Sequence, residues 1–101
     1  MAQTDIANTL AILREQESAI RARGVTGLYV FGSRVRGDNS QDSDLDAFVD
    51  YDPAEKFSLL DFIAVQRSLA EALGIKIDMA TRRSLHPLLR DRIEREAVKV
   101  F

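Results

Sequence analysis

Gly32-Ser33-Arg34-Val35-Arg36-Gly37-Asp38-Asn39-Ser40-Gln41-Asp42-Ser43-Asp44-Leu45-Asp46 is the stretch on which the fold turns. Just upstream, Gly27-Leu28-Tyr29-Val30-Phe31 is a short apolar run rich in β-formers, and it reads as a buried strand ending at Gly32. Just downstream, residues 44 to 50 alternate, with Asp44, Asp46, Phe48 and Asp50 on one face and Leu45, Ala47 and Val49 on the other. That is a second strand, closed by Tyr51-Asp52-Pro53. Between the strands, a polar segment with two glycines predicts a loop, with one helical turn at Ser33 to Arg36.

Working outward, Ile6, Leu10, Leu13 and Ile20 fall near helical spacing on a stretch that starts after Thr4-Asp5 and ends at Gly24, predicting one helix. Residues 54 to 73 read as a second helix, with an apolar stripe of Leu59, Ile63 or Phe62, Leu69 and Leu73, stopped by Gly74. Ile75 to Met79 alternates as a third strand. Pro87 suits the first turn of a last helix, whose Leu85, Leu89, Ile93, Ala97 and Val100-Phe101 recur every three to four residues. A crossover helix between strands two and three allows them to lie parallel. The class is therefore α/β or α+β: a mixed sheet of three or more strands packed with helices.

A chain of 101 residues has material for one modest core, so residues 1–101 are expected to form a single domain. The absence of cysteine excludes a disulfide scaffold, a thiol nucleophile and a Cys-based zinc site, and agrees with a cytoplasmic location. His86 is the one histidine, which disfavours a multi-histidine zinc site. No signal-peptide pattern opens the chain, and no run reaches the roughly 18 apolar residues that a membrane span needs. The net charge of −2 hides an uneven distribution. Residues 37–61 carry −7, whereas residues 82–101 carry +3. Direct nucleic-acid binding is not expected, because the basic surface needed for counterion release exists only at one end. The acidic middle suggests a cation or a solvated loop.

Two generic motifs fail on the central stretch. Gly32 and Gly37 have P-loop spacing, but Asp38-Asn39 follow where Lys and Ser or Thr are needed. Asp42 to Asp46 imitates the start of an EF-hand, but Ala47 and Pro53 stand where Gly and Glu are required. What remains is chemically coherent. Asp44 and Asp46, two apart on a strand, present carboxylates to one side about 7 Å apart at the backbone. Magnesium takes one or two carboxylates and completes its shell with water and phosphate oxygens. Gly32 allows close backbone approach, and the Ser33 hydroxyl with neighbouring N–H groups can cradle phosphate. Such a site suits phosphoryl or nucleotidyl transfer, which is largely positioning and charge neutralisation. The alternative for the same residues is an acidic surface turn after a buried strand.

Strand, Gly-Ser, spacer and Asp-x-Asp together resemble the DNA-polymerase-β-like nucleotidyltransferase superfamily. More closely, Gly32-Ser33-x-x-Arg36-Gly37 followed by Ser43-Asp44-Leu45-Asp46 resembles the minimal nucleotidyltransferase family, the antitoxin partners of HEPN-domain toxins. The resemblance covers nearly the whole chain, including an Arg-rich amphipathic helix from Leu88 to Phe101. It implies the small polymerase-β-like nucleotidyltransferase fold and a third carboxylate on a later strand, acting as base or additional metal ligand, for which Asp78 is the candidate. The implied catalytic and metal-binding set is thus Asp44, Asp46 and Asp78, and the implied nucleotide-binding set is Gly32, Ser33, Arg36 and Ser43. The implied reaction is Mg2+-dependent transfer of AMP from ATP, or of another nucleoside monophosphate, to a hydroxyl of a HEPN ribonuclease toxin in a hetero-oligomer. Two alternatives stay open: neutralisation of the partner by binding alone, and a stand-alone small-molecule nucleotidyltransferase.

The remaining polar residues divide less sharply. Arg34 and Arg36 either stabilise phosphate charge or pair with Asp38 and Asp42. Ser43 either orients the nucleotide or caps the turn. Asp50 and Asp52 compete with Asp78 for the third-carboxylate role, but lie away from the loop. His86 reads as a helix-start residue, and Tyr29 and Phe31 read as core.

Overall fold

The computed structural model describes residues 6–38, 40 and 43–101. Helices α1 (Ile6–Arg14) and α2 (Glu17–Ala22) lead into strand β1 (Val25–Phe31). One helical turn, α3 (Ser33–Arg36), separates β1 from β2 (Leu45–Tyr51). Helix α4 (Leu59–Leu73) crosses to β3 (Ile77–Thr81), and a 3-10 turn at Arg82–Ser84, helix α5 (Arg90–Glu96) and strand β4 (Val98–Lys99) complete the chain. The four strands form one mixed sheet in the order β3-β2-β1-β4. β1 is antiparallel to β2 and to β4, while β2 and β3 run parallel, as their crossover helix allows. No helix among the described residues is long and apolar enough to cross a membrane.

Alternation along the strands gives the sheet two unlike faces. Leu28 and Val30 of β1, Leu45, Ala47 and Val49 of β2, and Ile77 and Met79 of β3 are buried in one cluster with Leu10, Leu13, Ile20, Val65 and Leu69 of the helices. The opposite face carries Tyr29 and Phe31, Asp46, Phe48 and Asp50, and Asp78. It is not simply solvated. Phe48 is 1% exposed, stacked on Tyr29 with ring centroids 4.8 Å apart. The Arg82 guanidinium lies 4.8 Å from the centre of the Phe48 ring and 5.0 Å from that of Tyr29. Its Nε and Nη2 donate to the two oxygens of Asp50 at 2.7 and 2.9 Å, and its Nη1 donates to Glu94 at 2.6 Å. This arginine thereby ties the middle of the sheet to α5 through a two-pronged carboxylate contact and cation–π stacking.

Four expectations are corrected by the structure. The first helix is broken at Glu15–Gln16, where Gln16 N–H turns back to the Leu13 carbonyl at 3.0 Å. The apolar stripe offers nothing between Leu13 and Ile20 to hold that turn against the core. The second helix begins at Leu59 and not at Ala54, because Ser58 and Asp61 form a reciprocal capping box. Its buried stripe runs through Val65 and Leu69, with Leu59 and Ile63 facing outward. The third strand is shifted to Ile77–Thr81 by its pairing with β2. The last helix stops at Glu96, and Ala97 turns the chain into β4, which covers the free edge of β1 at Tyr29 and Val30. Val98 and Val100 favour extended backbone, and an unpaired strand edge supplies the hydrogen bonds that make it win over helix.

Arg82→Leu is expected to lower unfolding stability by about 2 kcal/mol, between the values for exposed and buried ion pairs, since it leaves Asp50 and Glu94 facing each other without their cation. Urea titration of the variant beside wild type measures this.

Candidate active site

Sheet register assembles the site. Phe31 pairs with Asp46, and Asp46 pairs with Asp78, so one row across the sheet end reads Phe31, Asp46, Asp78. Asp44 is exposed and immediately precedes β2, whose first residue donates from Leu45 N–H to the Lys76 carbonyl at 3.0 Å. Asp44, Asp46 and Asp78 therefore lie at the same end of the same pair of strands. Asp50, the competing candidate, lies on β2 at the far end of that face and is held by Arg82. Asp52 accepts from Ala54 N–H at 2.9 Å in the turn that follows.

The chain leaves β1 at Gly32 with φ 85° and ψ −160°, a region that a side chain would make costly. A Cβ at Gly32 would also collide with the Asp46 carboxylate, so the backbone can come this close to Asp46 only with glycine. Residues 33–36 then make the expected helical turn, closed by Gly37 in the left-handed conformation, whose N–H bonds the Ser33 carbonyl at 2.9 Å. The turn points Arg36 back across the site: its Nε donates to Asp38 at 3.2 Å and its Nη1 to Glu96 at 3.0 Å. Arg34 has a different task, donating from Nε to the Ser43 carbonyl at 2.8 Å and so fastening the far end of the loop. Ser43 closes that end itself, its hydroxyl accepting from Ser40 N–H at 3.0 Å. Asp42, the other expected partner of the arginines, lies outside the described residues.

Next to this turn is a cavity of about 380 Å³. Gly32, Ser33, Arg36, Asp46, Arg92 and Glu96 form its polar side, and Phe31, Leu89 and Ile93 its apolar side. Glu96 enters the site without having been singled out in the sequence. One of its oxygens, Oε1, accepts both the Gly32 N–H, at 3.1 Å, and the Arg36 guanidinium. No local pattern announces that contact, because 60 or more residues separate the partners. His86 stays apart, but not at a helix start: α5 begins only at Arg90, and His86 Nδ1 accepts from Leu88 N–H at 3.1 Å in the turn ahead of it.

Electrostatics sets Asp46 apart from its neighbours. Burial pushes its carboxyl above the ordinary carboxylate value, and the charges of Asp78 and then Asp44 push it in the same direction, while Arg36 opposes them. Among the described residues no three acidic groups stand close enough to enclose an ion by themselves. The carboxylates of Asp44, Asp46 and Asp78 are oxygen donors, which fits a hard cation that shares carboxylates with phosphate and water. A carboxyl raised in the folded state contributes stability in acid that is lost as pH rises through its folded value. Asp46→Asn is therefore expected to raise the melting temperature at pH 7, and the gain should shrink towards zero as the pH falls to about 4, where an ordinary carboxyl protonates. Thermal melts of both proteins across that range, without divalent ions, give the comparison.

Comparison with known proteins places this geometry among relatives. Residues 10–100 match the family model for the nucleotidyltransferase domain. The protein adenylyltransferase MntA of Thermococcus cleftensis is 37% identical over 99% of this chain and 100% of its own. A solved structure described as a candidate minimal nucleotidyltransferase superposes with a TM-score of 0.71 at 33% identity, covering 97% of this chain and 98% of that one. The fold is also that of the MNT antitoxin solved in complex with a tri-AMPylated Shewanella oneidensis HEPN toxin, at a TM-score of 0.61 and 18% identity over 91% of this chain and 71% of that one. With the strand, Gly-Ser turn and Asp-x-Asp strand standing in one site, the chain belongs to the nucleotidyltransferase-domain family, in its minimal form.

Proposed function

We propose that this chain is a magnesium-dependent protein adenylyltransferase that transfers AMP from ATP to a hydroxyl group of a HEPN-domain toxin, releasing pyrophosphate and acting as that toxin's antitoxin. The observation that carries the reading is the placement of Asp46, with the Gly32 turn against its carboxylate on one side and Asp78 one strand away on the other. The end-to-end match to a protein named as an adenylyltransferase supports the reaction, and the shared fold with an antitoxin seen beside its AMPylated HEPN toxin supports the partner.

The residues divide the work between substrate binding and proton transfer. The Ser33 hydroxyl and the backbone of the Gly32 turn receive the triphosphate, and Arg36 neutralises charge that builds on the departing pyrophosphate. Asp44 and Asp46 would hold the cation, and Asp78, which does not stand close enough to complete a three-carboxylate cage with them, serves as base. Bound there, magnesium supplies positive charge to the triphosphate oxygens. In the role of base, the exposed Asp78 takes the proton of the acceptor hydroxyl. The hydroxyl oxygen then bonds to the α-phosphorus as the bond from that phosphorus to the pyrophosphate oxygen breaks. Ser43 closes the turn before Asp44 with its hydroxyl and bounds the nucleotide side of the loop.

The acceptor hydroxyl comes from another protein. The cavity beside Gly32 and Asp46 is the place proposed for the nucleotide, and the Asp78 side of the row is exposed at the edge strand β3, where a partner's segment can approach.

Asp44→Asn combined with Asp46→Asn is expected to reduce transfer of label from α-labelled ATP to the partner by about a thousandfold or more, with the melting temperature unchanged or higher. Autoradiography of the partner, read beside its ribonuclease activity, measures both halves of the proposal. A wild-type protein that silences the partner without labelling it would replace catalysis by neutralisation through binding.

A further inference from the structure

The geometry points to Glu96 as a positioning residue for nucleotidyl transfer: from the end of α5 it holds Arg36 and the Gly32 turn in the arrangement that receives the triphosphate. This role rests on the nucleotidyltransferase reading and goes beyond the residues that the central motif supplies.

Three observations combine. The first is the shared oxygen. Glu96 Oε1 takes the Gly32 N–H at 3.1 Å and Arg36 Nη1 at 3.0 Å, so a single atom fixes the backbone at the start of the turn and the side chain at its end. The second is competition for Arg36. Asp38 binds the other side of the same guanidinium at 3.2 Å and is 61% exposed, against 24% for Glu96. Removing Glu96 leaves Arg36, itself 42% exposed, paired only with a solvated carboxylate on the outer side of the turn. The third is the rigidity of the platform. Glu94, two residues earlier, is clamped by Arg82 at 2.6 Å, and Val98, two residues later, pairs with Val30 in the sheet. Glu96 thus reaches the site from a backbone fixed on both sides.

Glu96 also carries a cost that a purely supporting residue could avoid. Its charge is among those that push Asp46 upward, and it lines a cavity meant for a polyanion. Saturating Oε1 with two donors offsets that cost, because the carboxylate is neutralised by Arg36 before substrate arrives. Glu96 is therefore placed to act chiefly through Arg36 and the Gly32 turn, the two groups that occupy its oxygen.

The test is a double-mutant cycle on binding of the magnesium complex of α,β-methylene-ATP, an analogue that cannot release its AMP, together with the KM for ATP in transfer. Glu96→Ala is expected to weaken analogue binding and raise KM about tenfold, and Glu96→Gln, which keeps an acceptor oxygen but no charge, about threefold. In an Arg36→Ala background, adding Glu96→Ala should weaken binding by no more than about twofold further, the non-additivity expected of partners acting as one unit. Equal binding by wild type and Glu96→Ala, or losses that multiply in the double variant, would overturn the role of Glu96 while leaving the nucleotidyltransferase reading intact. Wild type that fails to bind the analogue at all would overturn that reading, and this role with it. Melting curves of each variant separate a loss of fold from a loss of positioning, and Glu96→Gln retains the Gly32 contact if Glu96→Ala unfolds.

Discussion

Everything at the site depends on the register in which β2 lies between β1 and β3. Because side chains alternate, a slip of one residue would carry Asp46 into the apolar cluster and bring Leu45 and Ala47 out of it. Burial of Leu45, Ala47 and Val49 forbids that slip. The same hydrophobic contacts that hold the sheet against α1 and α4 thus place the carboxylate, and the row Phe31, Asp46, Asp78 follows from backbone pairing on either side. Gly32 then completes the geometry by the absence of a side chain, which lets the departing chain pass directly over Asp46.

The face that carries the chemistry is half aromatic core and half charged site, and the boundary between them is Phe48. On one side of it, Arg82 rests on two aromatic rings and is satisfied by Asp50 and Glu94, an arrangement in which the hydrogen bond with Asp50 holds the guanidinium more firmly protonated than usual. On the other side, Asp46 has carboxylates for neighbours and is harder to ionise than usual. The two halves therefore differ within one sheet face: in one an arginine and two carboxylates satisfy each other, and in the other a partly buried carboxylate has further carboxylates beside it.

Much of this is legible in the sequence because it is local. The alternation from Asp44 to Asp50, the apolar run before Gly32 and the helical turn at Ser33 each express a preference that a few neighbouring residues decide; the turn stands as read, β1 starts two residues earlier at Val25, and β2 is shifted by one residue to Leu45–Tyr51. What is not legible depends on pairing across the chain. Nothing near Val98 says that β1 has a free edge, so a helical spacing that continued to Phe101 was broken by a strand. Nothing near Glu96 says that it will meet Gly32. Nothing near Asp50, a competitor of Asp78 for the third-carboxylate role, says that Arg82 on a later turn will be its partner. Capping at Ser58 was readable in principle, as a Ser followed three residues later by an acid, and it outweighed the nominal helical stretch before it.

The junction between α5 and β4 has an evolutionary consequence. Only Ala97 separates the last helical residue from the strand, and the strand's partners on β1 are fixed. A gene that gained or lost one codon here would rotate Glu96 away from the Gly32 turn or force β4 out of register, so neither change could be absorbed locally. Related chains should therefore keep a constant count of residues between this helix and the final strand, a pattern that marks the two as one inherited unit.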